Sequence, residues 1–179
     1  MPTTLRTARG FTIIELMITL VMAAILATIA VPSFSTLIQN NRLTTQSNEL
    51  LSSFALARSE AIKRSQQVVS CQSSTATSCS GSATNWHQGW VVFADADADG
   101  IIDAGEDIIL VHNAMTSSLS ASSTVTSIAY DNDGLAIGLA NEVFFTLCDA
   151  RGDSDKQGIG ISIAGRVRQA ATSDLAACP

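Results

Sequence analysis

Two arginines stand one residue apart near the end of the chain, in Gly165-Arg166-Val167-Arg168, and Arg151 and Lys156 precede them. In a strand, residues two apart point to one side, so Arg166 and Arg168 are expected to project together while Val167 faces inward. Two forked guanidinium groups on one face suit phosphate oxygens. Gly165 closes an apolar run and permits a bend or unusual backbone angles ahead of them. Arg151 and Lys156 are expected in the preceding loop, where they could join one patch. These cations are local, because the whole chain carries −6 at pH 7. No Lys or Arg lies between Ser65 and Ala150, while acids run from Asp95 to Asp149. The middle should therefore repel nucleic acid, and only the C-terminal stretch could attract it. The plain alternative for these arginines is a solvated strand edge.

A second constellation could hold a hard cation. Asp95, Asp97, Asp99, Gly100, Asp103 and Glu106 follow D-x-D-x-D-G with a glutamate at the twelfth position, the spacing of an EF-hand calcium loop. The flanks "GWVVFA" and "DIILVHNA" read as strands rather than helices, so a solvated acidic turn is the favoured reading and no cofactor is expected. Cys71, Cys79, Cys148 and Cys178 show no metal-ligand spacing, and His87 and His112 complete no zinc pattern. An even count in an exported chain reads as two disulfides; three pairings are open, and the local one, Cys71–Cys79 with Cys148–Cys178, is the simplest. Trp86 and Trp90 could stack on nucleic-acid bases, but they are read as core anchors beside a strand. No acid–base, nucleophile or phosphate-loop pattern is found, so the chain is not expected to be an enzyme.

The elements that must carry these residues begin with the leader "MPTTLRTARG", followed by 21 residues from Phe11 to Val31 whose only charge is Glu15. That length suits a membrane-spanning helix of about 20 residues, and Arg6 and Arg9 favour a cytoplasmic N-terminus. Pro32 is expected to kink or loosen the helix. Beyond it, Phe34, Leu37, Ile38, Leu50, Leu51, Phe54, Ala61 and Ile62 recur near helical spacing, which leaves Arg42, Glu49, Arg58, Glu60 and Lys63 facing water. After Lys63 the texture changes to short apolar runs between turns: "QQVVSC", the two runs of the hairpin, "TVTSIAYD", "GLAIGL", "EVFFTLCD" and "GIGISIAGRVRQ". A helix followed by antiparallel strands makes an α+β domain. The expected divisions are 1–10 leader, 11–32 membrane and assembly half of the helix, 33–65 amphipathic half, and 66–179 β-rich head.

"RGFTIIEL" resembles the signal of type IV pilins and type II secretion pseudopilins. "ALARSEAIKR" and "GWVVFADADADGIIDAGEDIIL" resemble the GspH/FimT branch of minor pilins. The resemblance implies the type IV pilin fold, cleavage by prepilin peptidase between Gly10 and Phe11, and methylation of the new N-terminus. It makes Glu15 the fifth mature residue, an assembly device that meets the free amine of a neighbouring subunit. A carboxylate inside a membrane helix costs roughly 2.5–3.5 kcal/mol on insertion scales, so a partner is required in any case. In FimT-type minor pilins of transformable bacteria a C-terminal G-R-x-R motif binds DNA, and Gly165, Arg166 and Arg168 match it. The implied function is a minor pilin that binds extracellular double-stranded DNA by its phosphate backbone during uptake. The alternatives are a FimU-like subunit that primes pilus assembly and a GspH-like secretion pseudopilin. Other major and minor pilins are the expected partners, with the inner membrane holding the single-pass precursor.

Overall fold

The structure is a computed structural model that describes residues 10–116 and 118–178. The expectations for Arg6 and Arg9 in the leader lie outside the described residues. Among the described residues one α-helix, α1 (Ile13–Arg64), precedes nine strands: β1 (Gln67–Gln72), β2 (Trp90–Asp95), β3 (Ile108–His112), β4 (Ser120–Ser123), β5 (Ser127–Tyr130), β6 (Ala136–Ile137), β7 (Val143–Cys148), β8 (Gln157–Ile161) and β9 (Val167–Gln169). The chain forms two units that divide after Gln39.

In the first unit the helix is apolar on every side and its side chains are exposed from Phe11 to Leu37. That is the pattern of a helix whose solvent is lipid. Its start is capped reciprocally. Glu15 N–H donates to Thr12 Oγ1 (3.3 Å), and Thr12 N–H and Oγ1 reach Glu15 Oε2 (3.4 Å each). This is the T-x-x-E capping box, spelled by Thr12 and Glu15 in the sequence. The expected disruption at Pro32 is not observed, since α1 continues through it. The ring removes one backbone donor, and the flanking turns keep their own bonds.

In the second unit α1 buries Leu43, Ser47, Leu50, Phe54, Ala57 and Ala61, alternating steps of four and three that lay one stripe along the helix. The expected face was partly different. Ile62 is half exposed, while Leu43, Ser47 and Ala57 are core residues; two small residues, one of them polar, hide the stripe from a reading based on bulk. The helix ends at Ser65, whose left-handed φ of 53° lets Gln66 N–H reach Ala61 O (3.3 Å), a Schellman-type cap.

The head is antiparallel, as expected, and its strands form two sheets. Their orders are β3-β2-β1-β5-β6 and β4-β7-β8-β9. The core draws Leu50 and Phe54 from the helix, Val92 and Ile128 from the first sheet, and Phe145, Leu147, Ile159 and Ile161 from the second. Trp86 and Trp90 are fully buried, and Trp86 meets Phe145 edge to face at 4.9 Å. Strand β4 is the element that the sequence hides, because its Ser-Ala-Ser-Ser has none of the apolar alternation that marks a strand. Disulfides join Cys71 to Cys79 and Cys148 to Cys178.

Candidate functional site

The run read as a single strand through Arg168 is instead a hairpin. Strand β8 ends at Ile161, and the chain turns through Gly165 into β9. Gly165 takes φ +72°, and a Cβ there would stand 2.0 Å from Gly134 O. No other residue type fits both the backbone angle and the space. Gly165 N–H donates to Ser162 O (2.8 Å), Ser162 N–H to Arg166 O (3.1 Å), and Arg166 N–H to Ser162 Oγ (3.2 Å). The glycine thus does more than permit a bend. It sets the turn that presents Arg166.

Arg166 and Arg168 therefore do not share one exposed strand face, a correction to the expected pairing. Arg166 lies on the turn, exposed, and forms no ion pair among the described residues. Arg168 lies on β9 and is engaged. Cross-strand register sets Phe144, Gly160 and Arg168 in a row on β7, β8 and β9. With no side chain at Gly160, Arg168 reaches over it, its guanidinium 5.6 Å from the Phe144 ring centroid. Nε and Nη2 of Arg168 donate to the two oxygens of Glu142 (2.8 and 3.0 Å), and Asp174 lies 3.5 Å from Nη2. The hydrogen bonds it donates to Glu142 hold the Arg168 guanidinium above its ordinary value.

Arg151 and Lys156 do not join a patch of free charge. Arg151 forks onto Asp149 (2.6 Å from Nη2), approaches Asp155 (3.3 Å) and donates to Asn40 Oδ1 (2.7 Å). That fork holds the Asp149 carboxyl below the usual carboxylate range. Lys156 pairs with Asp153 (3.2 Å) and donates to the carbonyls of Leu175 and Ala176 (3.3 and 3.1 Å). Lys156 ties the C-terminal segment to the head, and Arg151 ties the loop before β8 to Asn40 of α1.

The cation that sequence reasoning missed is Arg58. It was expected to face water, yet Nε donates to Gly134 O (2.9 Å) and Nη2 to Ala164 O (3.1 Å), beside Gly165. No acidic partner of Arg58 is found among the described residues, and two bonds leave three of its five N–H donors unused. Arg58 and Arg166 line one groove with Leu51, Ile62, Gly165 and Val167. No local signal marks Arg58, since the hairpin that meets it lies more than seventy residues further along the chain.

The acidic loop is placed at the end of the β2–β3 hairpin. Asp95 pairs in register with Gln67 and is fully buried, so it is not part of a solvated turn. Asp97, Asp99 and Asp103 are exposed. Glu106 accepts from Ala96 N–H (2.8 Å) and Asp103 N–H (3.1 Å), closing the loop on itself.

The helix capped at Thr12 and the two-sheet head together describe a filament-type subunit, and comparison with known proteins identifies its family. A family profile described as Type II transport protein GspH matches residues 46–165, and the Prokaryotic N-terminal methylation motif matches residues 5–31. The chain belongs to the GspH family. Its fold is similar to crystal structures of the type IV minor pilin FimU of Pseudomonas aeruginosa. The first has a TM-score of 0.58 at 22% identity, over 75% of this chain and 92% of that one. A second crystal form has a TM-score of 0.56 at 21% identity, over 73% and 94%. The minor pseudopilin EpsH of the Vibrio cholerae type 2 secretion system is also similar, with a TM-score of 0.50 at 9% identity over 73% and 97%. At such identities the likeness carries the type IV pilin fold. No curated protein sequence matches the chain. An apolar helix bearing the methylation motif fits an inner-membrane precursor that is assembled into the pilus. The family match ends at Gly165, so Arg166 and Arg168 lie beyond it.

Proposed function

We propose that this chain is a minor type IV pilin whose head grips extracellular DNA by its phosphates, without reading sequence, during natural transformation. The observation that carries this reading is the groove in which Arg58 and Arg166, neither with an acidic partner among the described residues, flank the tight turn at Gly165. Guanidinium groups donate in a fork that matches phosphate oxygens. Arg168 is a reserve contact that phosphate can recruit only by displacing Glu142. Arg151 and Lys156 act indirectly, Arg151 through the loop it holds to Asn40 and Lys156 through the C-terminal segment it holds. Phosphate contacts carry no base code, so binding is sequence-independent. Affinity per subunit is low because few cations face many acids, and several subunits in one filament raise it by multivalency. The role is non-enzymatic.

The N-terminal half completes the proposal. Prepilin peptidase cuts between the exposed Gly10 and Phe11, and Glu15 then meets the amine of a neighbouring subunit during assembly. The leader, the membrane half to residue 32, the amphipathic half to 65 and the head from 66 follow as functional divisions.

The test is fluorescence anisotropy of a labelled duplex with the full-length chain in nonionic detergent. With about two phosphates neutralised, affinity should fall roughly tenfold between 50 and 200 mM salt. Arg166→Gln should abolish measurable binding, and Arg168→Gln should weaken it by a smaller factor. Absence of binding by the wild type, or equal binding by Arg166→Gln, sinks the reading. The neutralised states of Arg168, Arg151 and Lys156 favour a second one, in which the chain is a structural subunit that primes pilus assembly or serves a secretion pseudopilus. A deletion strain that loses its pili supports priming; one that keeps its pili but loses transformation supports DNA uptake.

A further inference from the structure

The end of β2 holds a buried carboxyl group with no cation paired to it among the described residues. Asp95 closes β2 and is 0% exposed. Its Oδ2 accepts from Gln67 Nε2 (2.7 Å) and Gly100 N–H (3.0 Å), both neutral donors, while its Oδ1 has no hydrogen-bond partner. A buried carboxylate so poorly compensated is costly unless a positive charge meets it. No Lys or Arg occurs between Ser65 and Ala150. The nearest candidate before that stretch, Arg64, is committed to Glu60 and Asp107 at 2.7 Å each. Among the described residues, no ion pair reaches Asp95, Asp97 or Asp99.

What does stand beside Asp95 is more negative charge. Asp95, Asp97 and Asp99 each offer a carboxylate oxygen, and these oxygens lie within 4.8 Å of one another. Like charges at that range repel. A loop built only to be soluble would point its acids apart. This one brings a carboxylate oxygen of the buried Asp95, whose Oδ1 has no partner, together with those of two exposed acids.

We infer that Asp95, Asp97 and Asp99 form a calcium site at the tip of the β2–β3 hairpin. The donors are all oxygen, which selects a hard cation, and alternate carboxylates followed by glycine suit the irregular coordination of Ca²⁺ better than the strict octahedron of Mg²⁺. Glu106 holds the loop closed through the N–H groups of Ala96 and Asp103. The strand flanks that made the EF-hand spacing look accidental are the frame of the site. Strand β2 is buried throughout, and its register with β1 sets Asp95 against Gln67. Exposed sites of this kind bind in the 10⁻⁴–10⁻³ M range, as in extracellular modules, where calcium is plentiful. The ion orders the acidic loop and cancels charge at the end of a central strand.

Thermal melting of the full-length chain in nonionic detergent tests the site. Calcium at about 10 mM should raise the Tm by roughly 5 °C or more over an EGTA-treated sample, from mass-action linkage and the size of the domain. Asp97→Asn/Asp99→Asn changes only exposed side chains. It should lose the calcium shift, yet melt in EGTA no lower than the wild type, because it removes repulsion. Titration calorimetry should count one ion per wild-type chain, and magnesium at the same concentration should give less than half the shift. Identical melting in calcium and EGTA, or an equal calcium shift in the variant, overturns the site. An equal shift with magnesium overturns the assignment to calcium.

Discussion

Gly165 shows how one residue can be required without touching a ligand. Its φ of +72° and the 2.0 Å approach of Gly134 O to any Cβ exclude a side chain. Gly165→Ala combines a left-handed alanine, of order 1–3 kcal/mol, with a backbone clash. We expect a loss of at least about 2 kcal/mol in urea unfolding, and with it the presentation of Arg166. Arg166→Gln, at an exposed position with no ion pair among the described residues, should leave stability within about 0.5 kcal/mol of wild type. A glycine variant as stable as wild type would show that the turn is not built as described. The motif's three named residues thus divide their work: the glycine shapes, the first arginine is free, and the second braces Glu142 across the sheet. Sequence reasoning listed all three but treated the arginines as equivalent, because only cross-strand neighbours distinguish them.

At the scale of elements, the two disulfides hold different things. Cys71–Cys79 closes a short loop of sequence separation 8, against the small cluster formed by Val69, Val91 and Phe93. Cys148–Cys178 spans 30 residues and ties the C-terminal segment to β7, with Leu175 packed where Gly158 leaves room. Loop-closure entropy gives about 2.5 and 3.5 kcal/mol for loops of these lengths. Cys148→Ser/Cys178→Ser should therefore lose about 1 kcal/mol more stability than Cys71→Ser/Cys79→Ser in urea unfolding. The reverse order would mean that local packing, rather than chain entropy, dominates. The long disulfide also encloses the hairpin that carries Arg166, so the proposed phosphate grip sits on a segment closed at both ends.

Across the whole molecule, the acid stability of the head depends on internal pairs. Asp149 is held low by its hydrogen bonds from Arg151, and Asp153 by Cys178 N–H and then Lys156. A carboxyl whose folded value is lowered adds stability above its unfolded value, near pH 4 for Asp. That stability is lost as pH falls through the folded value. The head should therefore keep its stability at neutral pH and lose it below about pH 4. Asp149→Asn should be less stable at pH 7 and show a shallower acid loss. Urea unfolding at stepped pH checks both, and parallel curves for variant and wild type would remove Asp149 from the account.

The order of elements was legible in the chain. An apolar run of 21 residues, helical recurrence after Pro32 and short runs between turn residues place a helix before antiparallel strands, because burial periodicity is a local property. The hairpin around the acidic loop, the four cysteines and the arginines of "GRVR" were equally visible. Helix continuity at Pro32, the second sheet, strand β4 and the stripe through Ser47 and Ala57 were not, since each depends on what packs opposite. Sequence named the charged groups, and tertiary structure decided which of them are spent. Glu142 meets Arg168 from 26 residues away, Arg58 reaches Gly134 across 76, and Asp95 is buried at the end of β2, opposite Gln67 of β1. A charge is neutralised or left free by neighbours in space, and the fold supplies those neighbours from distant parts of the chain.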